Sequence, residues 1–481
     1  MPAPLLDPDL PSFADPAPQQ LFRDQAARAL ALRSSSPAER LILLDGLHQA
    51  LAARREALYA AFRTDFGKPQ VEVELSEIMP VLEELQHARR HLRRWMKPRR
   101  VGATLTSLGC PAEIHCQPRG RCLIIGPWNY PVSTLLGPLV SALAAGNTVV
   151  LKPSEFTPAV NAVLREVIAE AFTPDTVAFC EGGVETAQAL LALPFDHFFF
   201  TGSPAVGRLV MQAAATHLAS VTLELGGKSP AIVDASADLD AAAELLVWGK
   251  FFNAGQSCVA PDHLFVARAI QPAFMERCRA LLQRRYGSDP ARSPDYARLI
   301  HERHAANLAL VLQQAQAAGA TLIHGGDHDV AQRYLGPTLL DCSKVSSALD
   351  ELEIFGPLLP VIAYDDLDEV FARIDAGPKP LALYLWSQDR EIHRRVATRT
   401  SSGSLGINLC MQQYTQVNLP FGGVNHSGLG SAHGLAGFRA FSHERSVMTA
   451  GPLLAIRLLF PPYSPAKLRL ARWVSRLVGR G

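Results

Sequence analysis

The sequence predicts an α/β protein built on a parallel, doubly wound sheet, with a second α/β region and a small β hairpin. Three observations predict it. From Arg121 to Leu218, short apolar runs alternate with segments of helical period. Each run ends in a turn: "GPWN", "KPSE", "EGG" and "TGS". A second alternating stretch extends from "SPAIVD" to "SLGIN". Such alternation produces parallel strands covered by helices, and ligands bind beyond the carboxyl ends of those strands.

The elements follow in order. Residues 18–65 and 72–97 carry apolar residues at helical spacing among many Arg and Glu, and "RRWMKPRRV" closes this helical block. "VGATLTSLGCPAEIHCQPRG" is rich in β-formers punctuated by Gly and Pro, the pattern of a protruding hairpin. "RCLIIGP", "NTVVLKP", "TVAFCEGG" and "HFFFTGS" read as buried strands. Between and after them, "STLLGPLVSALAAG", "AVNAVLREVIAEAF", "TAQALLAL" and "AVGRLVMQAAATHL" read as helices. The second region contributes strands "DHLFVAR", "TLIHGG" and "ALYLW" and the helix "HAANLALVLQQAQAAGA". "FGGVNHSGLGSAHG" is a glycine-rich loop region. In the final segment, Leu470, Trp473, Val474, Leu477 and Val478 recur at helical spacing between Lys467, Arg469, Arg472, Arg476 and Arg480. This basic amphipathic helix suits docking on the protein itself or a partner subunit, or weak contact with a membrane surface.

Composition bounds the function. At 481 residues the chain has room for two or three domains. Hydrophobic residues make up 48% and charged residues 19%, as in a soluble globular protein with a large core. Lys and Arg total 46 against 45 Asp and Glu, so no net charge draws the chain to nucleic acid. No RNA-binding aromatic motif or zinc-finger spacing is present. "MPAPLLDPDLPSFADP" lacks the pattern of a secretory signal, and no apolar run reaches the length of about 18 residues that spans a bilayer. A cytoplasmic protein is expected. The eight cysteines include no C-x-x-C pair. Cys110, Cys116 and Cys122, with His115 nearby, lack zinc-ligand spacing and read as ordinary strand thiols, so no metal is expected.

Several stretches could carry chemistry. Gly202 and Gly207 in "FTGSPAVG" follow a strand and open a helix, where glycine permits close approach and free N–H groups suit a pyrophosphate. A helix-capping turn explains the same pattern. "LELGGKSP" ends like a P-loop, but Thr222 stands where that loop needs glycine. What remains is Glu224 at a strand end, either a structurally paired carboxylate or a base in a cleft. "GPWNYPV" places Trp128 and Asn129 in a turn, and the Asn amide is a good oxyanion donor. Lys152 and Glu155 in "KPSE" lie where a ribose could bind, and the carboxylate would repel a 2′-phosphate. Cys258 in "NAGQSCVAPD" is either a nucleophile or a space-filling thiol.

In order and spacing, the blocks "PWNYPV", "GNTVVLKPSEFTP", "FTGSPAVG", "LELGGKSP", "NAGQSCVAPD", "EIFGPLLPV" and "LPFGGVNHSGLGSAHG" resemble the aldehyde dehydrogenase superfamily along nearly the whole chain. The short N-terminus, "GQSCVAPD" and "GLGSAHGLAGFRAFSHERSV" look like its class 3 branch of fatty, aromatic and coniferyl-type aldehyde enzymes. The resemblance implies an aldehyde dehydrogenase-like fold. Its NAD(P)-binding domain would comprise residues 1–98 and 119–225, its catalytic domain residues 226–426, and its oligomerisation segments residues 99–118 and 427–450, ahead of the tail 451–481. It implies Cys258 as nucleophile, Glu224 as general base and Asn129 as oxyanion donor together with the Cys258 N–H. Trp128, Gly202, Ser203 and Gly207 fall in the cofactor-binding set, with Ser203 on the pyrophosphate. Lys152 and Glu155 match residues on the adenosine ribose, and Glu353 and Phe355 match the clamp on the nicotinamide ribose and ring. NAD is favoured over NADP, and a homodimer is implied. The sequence departs from common family patterns at Leu352, where an acidic residue often stands, and at Asn425 and His426, where small residues often stand.

The chemistry expected is oxidation of a medium or long aliphatic or an aromatic aldehyde to its acid. A thiolate adds to the carbonyl, hydride leaves to NAD(P)+, and Glu224 activates water against the thioester. A thiol with a depressed pKa, or one beside a base, is expected. Two alternatives stand beside this reading. A CoA-acylating dehydrogenase would have no need of the Glu224 base, and a silent NAD-binding scaffold would have no need of Cys258, Glu224 and Asn129 together.

Overall fold

The computed structural model describes residues 17–345, 349, 353–451, 457 and 460–479. Leu352, the first part of the expected NAD(P)-binding domain (1–16) and the remainder of the tail lie outside the described residues.

The apolar runs form strands because their β-branched and aromatic side chains are buried on both faces of a sheet. Arg121–Ile125 lies at the centre, flanked on one side by Thr148–Lys152 and Val177–Phe179 and on the other by His197–Gly202 and Ser220–Leu225, all parallel. The chain reverses direction across the sheet at Arg121–Ile125, and a crevice opens at the carboxyl end of such a central strand. The glycine-rich loop adds one short antiparallel strand, Gly428–Leu429, which places Gly428 opposite Glu224.

Between two of these strands runs the helix Ser133–Ala145, apolar on nearly every side and buried through eleven of its residues, as a helix enclosed by other elements must be. Its N-terminus is covered by a buried carboxylate. Glu77 Oε2 accepts from the N–H groups of Val132 and Ser133, both at 3.1 Å, and Glu77 Oε1 accepts from Lys68 Nζ at 3.0 Å.

The N-terminal block folds as helices Pro18–Arg33, Pro37–Ala53, Arg55–Phe66, Gln70–Val73 and Met79–Trp95. The last two are joined by one π-helical turn, Glu74–Ile78. A π-turn shifts the side chains after it round the helix axis, a device common at functional sites.

The second α/β region forms a seven-stranded sheet. Its order is Thr321–His324, Thr338–Asp341, Leu358–Tyr364, His263–Ala267, Pro230–Val233, Ala382–Trp386 and Ser404–Ile407, and only the first strand is antiparallel to its neighbour. The hairpin stretch gives Arg99–Val101 and Ala112–Pro118, joined by the distant strand Ser442–Met448 into a small antiparallel sheet that is largely exposed. The tail helix Pro465–Val478 has no buried residue. No helix among the described residues is long and apolar enough to cross a membrane.

Candidate active site

The loop before Cys258 is built on an unusual backbone. Asn253, Ala254 and Gly255 have φ of +52°, +51° and +75°, the left-handed region that Asn and Gly enter at least cost. Side-chain amides hold this turn. Asn253 Nδ2 donates to the Asn129 carbonyl at 3.0 Å, and Asn129 Nδ2 donates to the Gln256 carbonyl at 3.1 Å. Gln256 Nε2 donates to the carbonyls of Asn253 and Arg298, and its Oε1 accepts from Ile300 N. Asn253 N donates to Glu72 at 2.9 Å, which ties the loop to the N-terminal block. Asn253, Gln256 and Glu72 escaped the sequence reading. Their amide and carboxylate groups bond to backbone of distant segments, so no local spacing reveals them.

Asn129 is buried, and its NH2 group carries two donors. One donates to the Gln256 carbonyl. Tyr130 beside it is buried under Lys68, whose Nζ lies 4.4 Å from the ring centroid.

Cys258 is half-buried, like Cys116, whereas the other six cysteines are buried. It opens into a predominantly apolar cavity of about 290 Å3. Of the two alternatives expected for the thiol, a depressed pKa is not found, whereas a carboxylate, Glu224, acts on it. Burial, with the carboxylates of Glu224 and Glu353, pushes the Cys258 thiol up to about 12, because all three influences disfavour a thiolate. Glu224 is buried at its strand end, and burial pushes its carboxyl up to about 7, partly opposed by His433. Its Oε1 has no hydrogen-bond partner among the described residues. Glu224 lines a second, much smaller cavity together with Glu84, Tyr414 and His433, which sequence reasoning did not single out.

Glu353 sits against the backbone of Gly226, where an added Cβ would lie 2.3 Å from its carboxylate. Burial pushes its carboxyl up to about 7, and its Oε1 is buried without a partner among the described residues. Phe355, at φ +48°, meets Trp128 edge-on with centroids 5.5 Å apart. The structure thus brings Asn129, Cys258, Glu224 and Glu353 into one neighbourhood, and Trp128 and Phe355, next to Asn129 and two residues after Glu353, pack on each other.

The remaining cofactor candidates occupy neighbouring strand ends. Lys152 is buried, and its Nζ donates to the Pro153 carbonyl at 2.8 Å and approaches Glu155 Oε2 at 3.4 Å. Burial lowers the Lys152 pKa. The Glu155 side chain is 38% exposed, so its carboxylate is open to a diol from solvent. Ser203 caps the helix Pro204–Thr216 by accepting from Val206 N. Gly207 faces inward. An added Cβ would lie 2.7 Å from Leu225 Cδ2, so this glycine lets the helix approach its strand. A Cβ at Gly202 would likewise strike the Phe200 ring at 2.5 Å. Both glycines therefore shape the strand–helix turn by packing. Asn425, at φ +56°, and His426 form the exposed tip of the turn that returns the chain to Gly428.

These residues fit a dinucleotide. The half-exposed Glu155 and the Ser203-capped N-terminus of Pro204–Thr216 lie at the carboxyl ends of the strands, and the orphaned Glu353 oxygen lies against Gly226 just beyond Ser220–Leu225, where a ribose–pyrophosphate–ribose chain would run.

Residues 18–447 match the aldehyde dehydrogenase family. The chain is 40% identical to the 4,4'-diaponeurosporen-aldehyde dehydrogenase of Staphylococcus aureus over 445 residues, covering 92% of this chain and 96% of that protein. It is 42% identical to aldehyde dehydrogenase family 3 member B1 of Homo sapiens over 440 residues, covering 90% and 92%. Among solved structures, a substrate-bound state of Staphylococcus aureus AldH superposes with a TM-score of 0.90 at 39% identity, covering 94% of this chain and 98% of that one. The chain therefore belongs to the aldehyde dehydrogenase family, NAD(P)-dependent enzymes that oxidise aldehydes.

Proposed function

We propose that the protein oxidises apolar aldehydes, aliphatic of medium or long chain or aromatic, to carboxylic acids through a thioester on Cys258. The observation that carries this reading is the cavity on which Cys258 opens, lined by apolar side chains including Leu75, Met79, Trp248, Phe252 and Met411. Leu75 belongs to the π-turn and Met79 follows it. Such walls gain free energy by taking alkyl or aryl surface out of water, about 0.8 kcal/mol per buried methylene. They offer little to a charged substrate.

The Cys258 thiol gives up its proton to a base, its sulfur bonds to the aldehyde carbon, and the carbonyl oxygen becomes an oxyanion. The free Asn129 N–H and the Cys258 backbone N–H receive that charge. NAD(P)+, when bound, would supply the hydride acceptor: the C–H bond of the adduct gives up hydride and the carbonyl re-forms as the thioester. Glu353 would hold the ribose hydroxyls through its unpartnered oxygen, while Phe355 and Trp128 wall the ring. Lys152 and Glu155 would hold the adenosine ribose, and Glu155 favours NAD by repelling a 2′-phosphate. Glu224 then takes a proton from water, the water oxygen bonds to the acyl carbon, and the carbon–sulfur bond breaks to release the acid.

A homodimer would use residues 99–118 and 427–450, where the small antiparallel sheet exposes an outer strand, Ser442–Met448. The exposed tail helix, with Arg469, Arg472 and Arg476 opposite Leu470 and Leu477, suits weak contact with a membrane surface. Eight free cysteines agree with a reducing, cytoplasmic setting.

The test is a screen of hexanal, decanal, benzaldehyde and coniferaldehyde with NAD+ and NADP+, read as reduced cofactor and acid. The reading expects turnover with one or more of these and NAD+ preferred. Acyl-CoA formed on adding CoA, in place of free acid, would contradict it.

A further inference from the structure

The small cavity behind Glu224 holds more chemistry than the reaction just described uses. Glu84 reaches it from the helix Met79–Trp95, Glu224 from the strand Ser220–Leu225, and His433 from the glycine-rich segment. Its volume is about 20 Å3, the scale of one water molecule. Three distant parts of the chain thus place ionisable side chains round one water-sized space.

Glu84 is fully engaged. Its Oε1 meets His433 Nδ1 at 2.5 Å, and its Oε2 accepts from the Gly434 N–H at 3.1 Å. The second bond follows from the left-handed backbone of His433 and Gly434, at φ +69° and +47°. Tyr414 and Phe421 pack edge-on against the imidazole at 5.0 and 5.4 Å, which fixes its plane. With Nδ1 committed to Glu84, the ring nitrogen left to act across the cavity is Nε2. On the facing wall, Glu224 Oε1 is buried without a hydrogen-bond partner among the described residues. A buried carboxylate in that state is costly unless a donor or a cation compensates it.

The groups round His433 leave it as that compensating partner. Glu84 faces it from the helix Met79–Trp95, Tyr414 from the turn Gln412–Thr415 and Glu224 across the cavity, while His87 packs against the neighbouring Gly434. Burial and His91 lower the His87 pKa, and burial raises that of Tyr414, so both are neutral near pH 7. At His433 burial favours the neutral ring, but Glu84 and then Glu224 outweigh it and raise the pKa.

We propose that His433, anchored by Glu84, is the positioning residue for Glu224: it orients the carboxylate across the small cavity and supplies the positive neighbour that favours its ionised form. This rests on the reading of Glu224 as the base of deacylation.

The experiment compares wild type with Glu84→Gln, His433→Gln and Glu224→Gln, each as the full chain with NAD+ and a saturating aldehyde. Both the pre-steady-state burst of NADH and the pH profile of steady-state turnover are read. Losing the cation makes Glu224 harder to ionise. In Glu84→Gln and His433→Gln the midpoint of the rising limb should therefore move to higher pH by about one unit, which makes turnover about tenfold slower on the acid side. The burst should persist. Unmoved midpoints, or a burst that falls in step with turnover, mean a purely structural pair and overturn the proposal. Two variants serve so that misfolding of one leaves the other to decide. Glu224→Gln separates the two readings. If it turns over normally, the base assignment itself fails. If it loses turnover while the other midpoints stay fixed, only the positioning role fails.

Discussion

The side-chain amide of Asn253 donates to the backbone carbonyl of Asn129 at 3.0 Å, joining the loop that carries the Cys258 thiol to the turn that carries the candidate oxyanion donor. Nucleophile and donor come from different sheets, so their relative position depends on this bond and its return, Asn129 Nδ2 to the Gln256 carbonyl. Asn253→Ala removes the bond, and it also places alanine at φ +52°. The variant should lose about 2–3 kcal/mol of stability, measured by denaturant unfolding. Its burst rate should fall by about 100-fold, the penalty of a misplacement near 1 Å.

Asn129→Ala takes away the donor itself and leaves the Gln256 carbonyl with only the longer bond from Asn253 Nδ2 at 3.3 Å. Acylation should slow by about 100- to 1000-fold with little change in the KM for NAD+. Rapid-mixing measurement of the NADH burst checks this. A burst at the wild-type rate would remove Asn129 from the reaction.

Glu224 titrates from a raised position, with its carboxyl pushed up to about 7. The base acts as the carboxylate, whose fraction grows as pH rises through that value. Where deacylation limits turnover, the rate should climb between about pH 6 and 8 and then level. Glu224→Gln should keep the burst and lose the pH-dependent turnover.

Lys68 and Glu77 are both fully buried at 3.0 Å, beneath the turn that holds Asn129 and Tyr130. Lys68→Met leaves Glu77 ionised without its partner, or protonated and a poorer acceptor for Val132 and Ser133. The cost should be about 3–5 kcal/mol, read as a fall in unfolding free energy. The double substitution Lys68→Met, Glu77→Gln should recover part of it.

Gly226→Ala pushes a methyl group against the Glu353 carboxylate, the movable end of a side chain. Folding should change little, while the KM for NAD+ rises. Thermal unfolding and cofactor titration of the same sample separate the two effects.

The strand–helix alternation was legible because buried parallel strands are continuous apolar runs and their ends carry turn residues. Cys258, Glu224 and Asn129 were legible only as a set, through ordered blocks. The pairing of Ser442–Met448 with Ala112–Pro118 joins segments more than three hundred positions apart and leaves no local signal. Glu84 stands in no motif, and His433, though it lies in the block "GLGSAHG", gained no role there; their meaning comes from meeting across the fold. Reactivity calls for a lowered thiol pKa or a neighbouring base; burial and two carboxylates far from Cys258 in sequence raise the pKa, which no local pattern shows. Gly207 was readable as a close approach, but Leu225 as the approaching group was not.

The central claim is a thioester on Cys258, and trapping it is the most direct measurement. Glu224→Gln, mixed with decanal and NAD+ and quenched within the burst, is digested and its peptides weighed. The account predicts the mass of a decanoyl group, in place of one hydrogen, on the peptide containing Cys258, in an amount equal to the NADH formed, and neither product from Cys258→Ala. NADH released by Cys258→Ala at the wild-type rate, or a burst with no acylated peptide, would contradict it.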